Sequence, residues 1–443
     1  MCSFVSILFL FLSVLSLQAQ EHLLQSGPML GYSEMREVFI WAQTTESARV
    51  KVFYREKGTE EPWIDSREIL TVPEDAFVAH LVLDQVEPGK RYDYHLFIND
   101  QKVERPYPTE FQTQTLWQWR TDPPEFTIAL GSCAYVNEEE YDRPGEPYGG
   151  DYQIFESIHK LRPNAMLWLG DNTYLREADW YSRSGILERH THTRSLPELQ
   201  PLLASTHHYA IWDDHDFGPN NSDRGFREKE TTCEAFRLFW GNPTYGTEEV
   251  GGIFSMFQWE DIEFFLLDNR WHRSPNNRKT GPREMFGEAQ LEALIDRLVN
   301  SRAPFKIIAM GGQALNPVER WETWATFQEE KARFMEMIAE ENISGVFFLS
   351  GDRHHSELTK LEREGDYPLY DLTVSPLTAN PANYPNEPNT LRVPDTYVGV
   401  RNFATLTFTG PRKERAMTMR IYDVAGNELW SQVVQASELK RKK

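Results

Sequence analysis

The sequence predicts two structural units, an all-β sandwich near the N-terminus and a larger α/β domain with a buried sheet. Two observations predict this organisation. Short strand-like segments separated by proline and glycine fill residues 28 to about 115, whereas apolar strands alternate with helical segments after Pro123 and Pro124. The length of 443 residues accommodates two or three domains of ordinary size.

The first 20 residues contain no charged side chain, and residues 7–17 are almost wholly apolar. Such a run is too short to span a bilayer but has the length of the apolar region of a signal peptide. Ala19 offers a small residue for cleavage, although no Lys or Arg precedes the run. We expect residues 1–19 to be a signal peptide that exports the protein to the periplasm or the extracellular space. A buried helix or an anchor is the alternative, and no later segment reads as a transmembrane helix.

The first unit, residues 20–120, contains segments rich in β-branched and aromatic residues at spacings of roughly ten residues, without a helical pattern. The predicted strands are 38–41, 48–54, 76–83 and 92–98. This spacing is typical of a β-sandwich. No cluster of chemically reactive residues occurs here, so we expect an accessory domain.

The second unit, residues 121–436, alternates apolar strands with helices, as in α/β domains whose sheet is covered on both faces. The predicted strands are 126–130, 165–169, 209–212, 262–267, 305–310 and 346–349. The predicted helices are 152–161, 196–203, 231–240, 288–299 and 324–338. Residues 369–434 return to strands, which we expect to add to the sheet in antiparallel fashion, and residues 437–443 form a charged tail.

The charge of the chain favours metals over polyanions as partners. The 46 basic and 67 acidic residues give a net charge of −21, so no specific binding of nucleic acid is expected. Clusters of acidic residues are natural ligands of hard cations. Cations bound in this way would allow a phosphoester to bind despite the negative charge of the chain. With Cys2 in the predicted leader, Cys133 and Cys233 either pair with each other or act separately.

Loops with metal- or phosphate-binding residues follow six strand-like segments. Ligands of α/β folds bind at the carboxyl ends of strands, so these loops predict one shared site. The loops are 131–135 (GSCAY), 170–174 (GDNTY), 213–216 (DDHD), 268–273 (DNRWHR), 311–313 (GGQ) and 351–355 (GDRHH). Without cations, neighbouring carboxylates at Asp171, Asp214 and Asp352 would repel one another and raise each other's pKa. Two metal ions that share a bridging carboxylate would remove this repulsion. Arg270 could then hold phosphate oxygens, which together describes a phosphoester hydrolase.

These loops, with 375–378 (SPLT), resemble the PhoD-like alkaline phosphatases of the calcineurin-like metallophosphoesterase superfamily. The resemblance extends from about residue 31 to residue 377. It implies a four-layer αββα domain preceded by an Fn3-like all-β sandwich. It also implies hydrolysis of phosphomonoesters or phosphodiesters, by attack of a metal-bound hydroxide at a binuclear or larger metal centre.

The resemblance further assigns roles to individual residues. The implied metal ligands are Cys133, Asp171, Tyr174, Asp214, Asp352 and His354. Asp171 matches the bridging aspartate, Cys133 and Tyr174 match ligands of a ferric ion, and His354 matches the C-terminal histidine ligand. His215 matches the histidine that assists the leaving group.

Two departures from the wider superfamily bear on the metal. Ser132 and Cys133 stand in place of an opening Asp-x-His, and Gln313 stands where a histidine ligand is common. Fewer nitrogen ligands favour Fe³⁺ and Ca²⁺, although Zn²⁺ or Mn²⁺ stays possible. We expect Arg270, His272 and Gln313 to contact a small or polymeric phosphoester substrate.

Several residues have alternative interpretations. Tyr174 could simply form the pocket wall, and Arg270 could pair with Asp268. Asp213 or Asp216 could orient Asp214 and His215, and His355 competes with its neighbour His354. Four other histidines are assigned no role in the site. His190 and His192 follow no strand, so a loop lining the pocket or plain surface is expected there. His207 and His208 precede a strand and should lie at the far end of the sheet from the site.

Two other functions compete with the phosphoesterase. The chain could be a non-catalytic secreted binding protein with a decayed phosphatase domain, since Asp-x-His and the middle histidine are absent. It could also hydrolyse another bond, as an amidohydrolase does, but such a site usually needs a histidine pair near the first strand.

Replacing Asp171 with Asn should remove most of the activity together with bound metal, because an amide cannot bridge two cations as a carboxylate does. Metal content and turnover are measured on the same preparation. Activity retained at full metal occupancy would contradict the bridging role.

Overall fold

A computed structural model describes residues 23–320 and 322–441. The predicted signal peptide and Cys2 lie outside these residues. The described chain contains 21 β-strands and seven α-helices. No helix among the described residues is both long and apolar enough to cross a membrane.

The strands fall into an N-terminal set and a set that follows Pro124. The first set is β1 (Leu24–Ser33), β2 (Val38–Thr44), β3 (Arg49–Glu56), β4 (Ile64–Asp65), β5 (Ile69–Leu70), β6 (Val78–Leu83), β7 (Arg91–Ile98), β8 (Gln101–Lys102) and β9 (Glu110–Gln112). The second set is β10 (Phe126–Gly131), β11 (Ala165–Leu169), β12 (His207–Ile211), β13 (Ser255–Trp259), β14 (Ile262–Leu266), β15 (Lys306–Ala309), β16 (Val346–Ser350), β17 (Glu357–Leu361), β18 (Leu369–Thr373), β19 (Asn402–Thr409), β20 (Ala416–Asp423) and β21 (Glu428–Gln435).

The α-helices of the described residues all follow β10. They are α1 (Gln153–Lys160), α2 (Arg183–Arg194), α3 (Gln200–Ser205), α4 (Asp214–Phe217), α5 (Lys229–Phe239), α6 (Glu288–Asn300) and α7 (Gln328–Glu340).

Two mixed sheets contact each other in the second unit. One has nine strands in the order β21-β20-β19-β10-β11-β12-β1-β2-β6, and the other has six in the order β13-β14-β15-β16-β18-β17. Tyr209 of β12 stacks on Phe257 of β13, with ring centroids 3.7 Å apart. On the outer face of the nine-stranded sheet, the Phe155 ring of α1 packs against the Trp168 ring of β11, with ring centroids 6.0 Å apart. Because helices and the opposite sheet cover both faces, the central strands are apolar throughout.

The N-terminal unit shares a sheet with the second unit. Strand β1 pairs in parallel with β12, which joins β1, β2 and β6 to the nine-stranded sheet. The strands β3–β5 and β7–β9 form a third sheet over a separate apolar core. Along β2, Val38 and Ile40 point into that core, whereas Phe39 and Trp41 point into the core of the second unit. The sandwich is therefore continuous with the α/β unit across the predicted boundary at residue 120.

Two sequence expectations differ from the structure. Residues 183–194 form helix α2, where His190 is 2% exposed, rather than a loop or surface segment around His190 and His192. Apolar periodicity did not predict this helix, because the helix also buries charged side chains such as Arg189, which pairs with Asp179. Near the end of the chain Leu439 is fully buried, so packed structure continues into the segment predicted as a charged tail.

Trp41 joins the two units, and its replacement by Ala should destabilise the whole chain. Its ring is fully buried against Phe239, and its Nε1 donates a hydrogen bond to the Leu238 carbonyl at 3.0 Å. The expected loss is about 3–5 kcal/mol of unfolding free energy, measured by urea denaturation. Val82→Ala on neighbouring β6, where the side chain is 41% exposed, should cost no more than about 0.5 kcal/mol. Equal losses in the two variants would contradict the coupling of the units through Trp41.

Candidate metal centre

The loops that leave the two sheets meet at one edge. A Cβ added to Gly351, after β16, would lie 2.5 Å from the Leu169 carbonyl oxygen of β11. From the loop after β18, the backbone N–H of Leu377 donates to the Ser132 carbonyl at 2.8 Å. This close approach, which only glycine permits at position 351, brings the carboxyl ends of both sheets together.

A first group of ligand atoms lies within 4.8 Å of one another and comes from Cys133, Asp171 and His354. Tyr174 joins it, because its hydroxyl donates to Asp171 Oδ2 at 3.1 Å and lies 3.3 Å from His354 Nε2. The Nδ1 of His354 lies 2.6 Å from the Asn380 carbonyl oxygen, which accepts its proton. This hydrogen bond leaves Nε2 free to act as a ligand.

Two further groups continue from the first within the same 4.8 Å limit. One joins Asp171, Asp214 and His215, and the other joins Asp213, Asp214 and Asp352. Asp171 and Asp214 therefore each belong to two groups. The three groups form a continuous row of oxygen, sulfur and nitrogen donors in which adjacent groups share a carboxylate.

Four of the six predicted ligands have left-handed backbone conformations. The φ angles of Cys133, Asp171, Asp352 and His354 are 58°, 52°, 64° and 53°. Such conformations are uncommon outside glycine and cluster at functional sites, where the surrounding structure holds them. Here the backbone N–H of His354 donates to Ser375 Oγ at 2.9 Å. The backbone thus turns these four side chains toward one another at a conformational cost.

The electrostatics of these groups favour bound cations. Burial, then the charge of Asp214, raises the pKa of Asp171 well above its ordinary value. Burial also raises the pKa of the Cys133 thiol to about 12. One oxygen each of Asp213 and Asp214 is buried without a hydrogen-bond partner among the described residues. Metal ions would ionise the thiol, satisfy these oxygens and remove the repulsion, so the donor set fits them.

Comparison with protein families matches residues 128–409 to the PhoD-like phosphatases. The chain belongs to the PhoD-like phosphatase family. A domain of unknown function (DUF7800) matches residues 21–116. Alkaline phosphatase D of Bacillus subtilis (strain 168) is 22% identical over 357 residues, covering 69% of this chain and 56% of that protein. The chain thus spans little more than half the length of this relative.

Two solved structures share the fold of this PhoD-like chain. The structure of PhoD is similar over 95% of this chain and 92% of that chain, with a TM-score of 0.74 and 16% identity. A purple acid phosphatase, PPD1 from seeds of yellow lupin (Lupinus luteus), is similar over 92% of this chain and 74% of that chain, with a TM-score of 0.67 and 11% identity. The mixed α/β sheets are common to all three.

Arg270 is held by carboxylates in this PhoD-like chain. It is fully buried, and its Nη2 lies 2.5 Å from Asp213 Oδ1 and 2.6 Å from Glu322 Oε2. The phosphate contact of Arg270 stays a prediction, and in this structure the guanidinium is buried among these carboxylates. The alternative partner Asp268 contacts only the backbone N–H of Arg270, at 2.9 Å. No sequence signal marked Glu322, which follows no strand.

Gln313 and His272 belong to none of the three ligand groups. Gln313 is fully buried, and its Nε2 donates to Glu357 at 2.8 Å and to Thr373 at 2.9 Å. Its substrate contact stays a prediction, and in this structure a buried network uses both ends of the amide. The Nε2 of His272 lies 2.6 Å from the Val250 carbonyl oxygen, and the residue does not line the cavity described below.

The structure also shows the surroundings of the other residues that had alternative interpretations. His355 lies in a separate buried group with Glu357 and Glu387, whereas His354 joins the first ligand group. The two oxygens of Asp216 accept the backbone N–H groups of Asp213 and Thr173, each at 2.9 Å, which orients the loops around the ligands. Cys133 and Cys233 are both free thiols.

A cavity of about 1160 Å³ opens beside the ligand groups, with Tyr174 and His215 in its wall. The His215 ring stacks on Tyr174 with centroids 4.4 Å apart, and its backbone N–H donates to Asp171 at 3.2 Å. Most of the rest of the wall comes from the loop 137–148 and from residues 175–180. A substrate in this cavity would face both His215 and the ligand groups.

Glu322→Ala should destabilise the protein, because it removes the carboxylate that pairs with both Arg270 and Arg273. The Nη2 of Arg273 lies 2.9 Å from Glu322 Oε1, and both arginines are fully buried. Leaving a buried charge unpaired typically costs about 3 kcal/mol or more, measurable as a lower urea midpoint. The exposed neighbour Glu319 is the control, and Glu319→Ala should change the midpoint little. Equal midpoints for wild type and Glu322→Ala would refute the pairing.

Proposed function

We propose that the chain is an exported metal-dependent phosphoester hydrolase, acting as an alkaline phosphatase or phosphodiesterase. One observation carries the proposal, namely that buried Asp171 belongs to two groups of ligand atoms at once. A carboxylate in that position suits two neighbouring cations, and such pairs activate water and stabilise the leaving oxygen of a phosphoester. Membership of the PhoD-like phosphatase family supports the same reaction.

The proposed centre is binuclear or larger. Cys133, Asp171, Tyr174 and His354 would hold a ferric ion, since thiolate, phenolate and carboxylate donors suit it. Asp214 and Asp352 would hold calcium through oxygen atoms, as hard cations prefer. Zinc or manganese is the alternative.

His215 is the proposed acid–base residue of this site. Burial lowers the pKa of its imidazole, so the ring is neutral and can donate one N–H to the leaving oxygen. Stacking on Tyr174 fixes the direction of that N–H. Arg270 is the proposed contact of the phosphate oxygens, and it also holds Asp213 beside Asp214.

The proposed organisation is an Fn3-like accessory sandwich at residues 20–120, a four-layer αββα catalytic domain at 121–436 and a charged end at 437–443. The contacts between the two large sheets, with helices outside, support the four layers. Export rests on the sequence of residues 1–19 alone.

The full mature chain, purified without chelators, tests this function by elemental analysis and by hydrolysis of p-nitrophenyl phosphate and bis(p-nitrophenyl) phosphate at alkaline pH. Iron and calcium near stoichiometry, with chelator-sensitive hydrolysis, are expected. His215→Asn should lower kcat by about 10²–10⁴-fold at unchanged metal content.

The matched control is His159→Asn on α1, half-buried and remote from the ligand groups, which should keep full activity. A zinc or manganese pair would retain the hydrolase and discard the ferric site. No bound metal and no hydrolysis would favour the non-catalytic binding protein.

A further inference from the structure

The cavity beside the ligand groups has an acidic wall. Glu139, Glu140 and Glu146 line it, and all three side chains are exposed. None of them forms an ion pair or a side-chain hydrogen bond within the described part of the chain. Their negative charges are therefore available to whatever enters the cavity.

The two arginines of the same wall are already neutralised. Arg143 pairs with Glu177 at 2.8 Å, and Arg176 pairs with Asp142 at 2.9 Å. The Arg176 guanidinium also lies over the Tyr135 ring, 3.9 Å from its centroid. Both lining arginines are thus paired with carboxylates, so a polyanionic substrate would meet no unpaired side-chain cation among the described lining residues.

Aromatic rings also line this cavity. Tyr141 and Tyr148 are 42% and 38% exposed, and Trp180 lies in the same wall. The Tyr148 hydroxyl lies 3.3 Å from His354 Nδ1, so its ring stands at the edge of the candidate metal centre. Ring faces attract cations, and carboxylates nearby strengthen that attraction.

We propose that this cavity selects phosphoesters whose organic group carries a substituted ammonium. The inference rests on the proposed function. The phosphate would lie at the metal centre, while the ammonium would lie among Tyr141, Tyr148 and the three glutamates. In the hydrolysis, water adds to phosphorus, the P–O bond to the alcohol breaks, and the departing oxygen takes a proton.

The test compares esters that differ only in charge. The first pair is phosphocholine and 3,3-dimethylbutyl phosphate, which has the same shape but carries a neutral carbon in place of the cationic nitrogen. The p-nitrophenyl diesters of these two compounds form the second pair. The test uses the monoester pair if the enzyme hydrolyses monoesters and the diester pair if it hydrolyses diesters. We expect kcat/KM to be about tenfold higher for the cationic ester, with the ratio falling at high salt.

In the triple variant E139Q/E140Q/E146Q the ratio should fall close to one. The control E336Q/E340Q/E341Q removes the same charge from exposed positions at the end of α7 and should keep the wild-type ratio. A wild-type ratio of one or below, with p-nitrophenyl phosphate or its diester hydrolysed, overturns the ammonium proposal alone. A high ratio that survives in the triple variant overturns the role of the glutamates. No hydrolysis of any ester overturns the proposed function and this inference with it.

Discussion

Repulsion among carboxylates is the constraint on which this structure depends. Four carboxylates converge where the two large sheets end, and three of them are buried: Asp171, Asp213 and Asp214, with Asp352 beside them. Like charges at such distances raise one another's pKa unless positive charge is placed among them. The fold places the buried guanidinium of Arg270 beside Asp213. The unpartnered oxygens and the row of shared ligands indicate that bound cations supply the rest.

The backbone around this cluster follows from the same constraint. Parallel strands from two sheets bring their carboxyl ends to one edge, and the glycine at position 351 lets the loops touch. The left-handed conformations of Cys133 and His354 then turn their side chains into the shared space. Strain of this kind is tolerated where the surrounding hydrogen bonds determine the loop, as Ser375 does for His354.

Sequence patterns predicted the strands and the loops after them well, because both depend on local order along the chain. The strand at 165–169 has the predicted bounds, and Asp171, in the loop after it, belongs to two of the candidate ligand groups. The sequence did not predict which strands belong to which sheet, because a buried apolar strand has the same pattern in either sheet. The partners of Arg270 and Gln313 were missed because Glu322 and Glu357 are distant in the chain and carry no local signal. Helix α2 was missed because its buried arginines mask the apolar period.

The sheet shared by the two units bears on how such a protein can evolve. Strand β2 covers aromatic side chains of the α/β core with one face and completes the sandwich with the other. A chain that began at residue 121 would carry β12 with an open edge beside uncovered apolar surface, a combination that promotes intermolecular strand pairing. The sandwich is thus no exchangeable module, and recombination or engineering would have to move both units together.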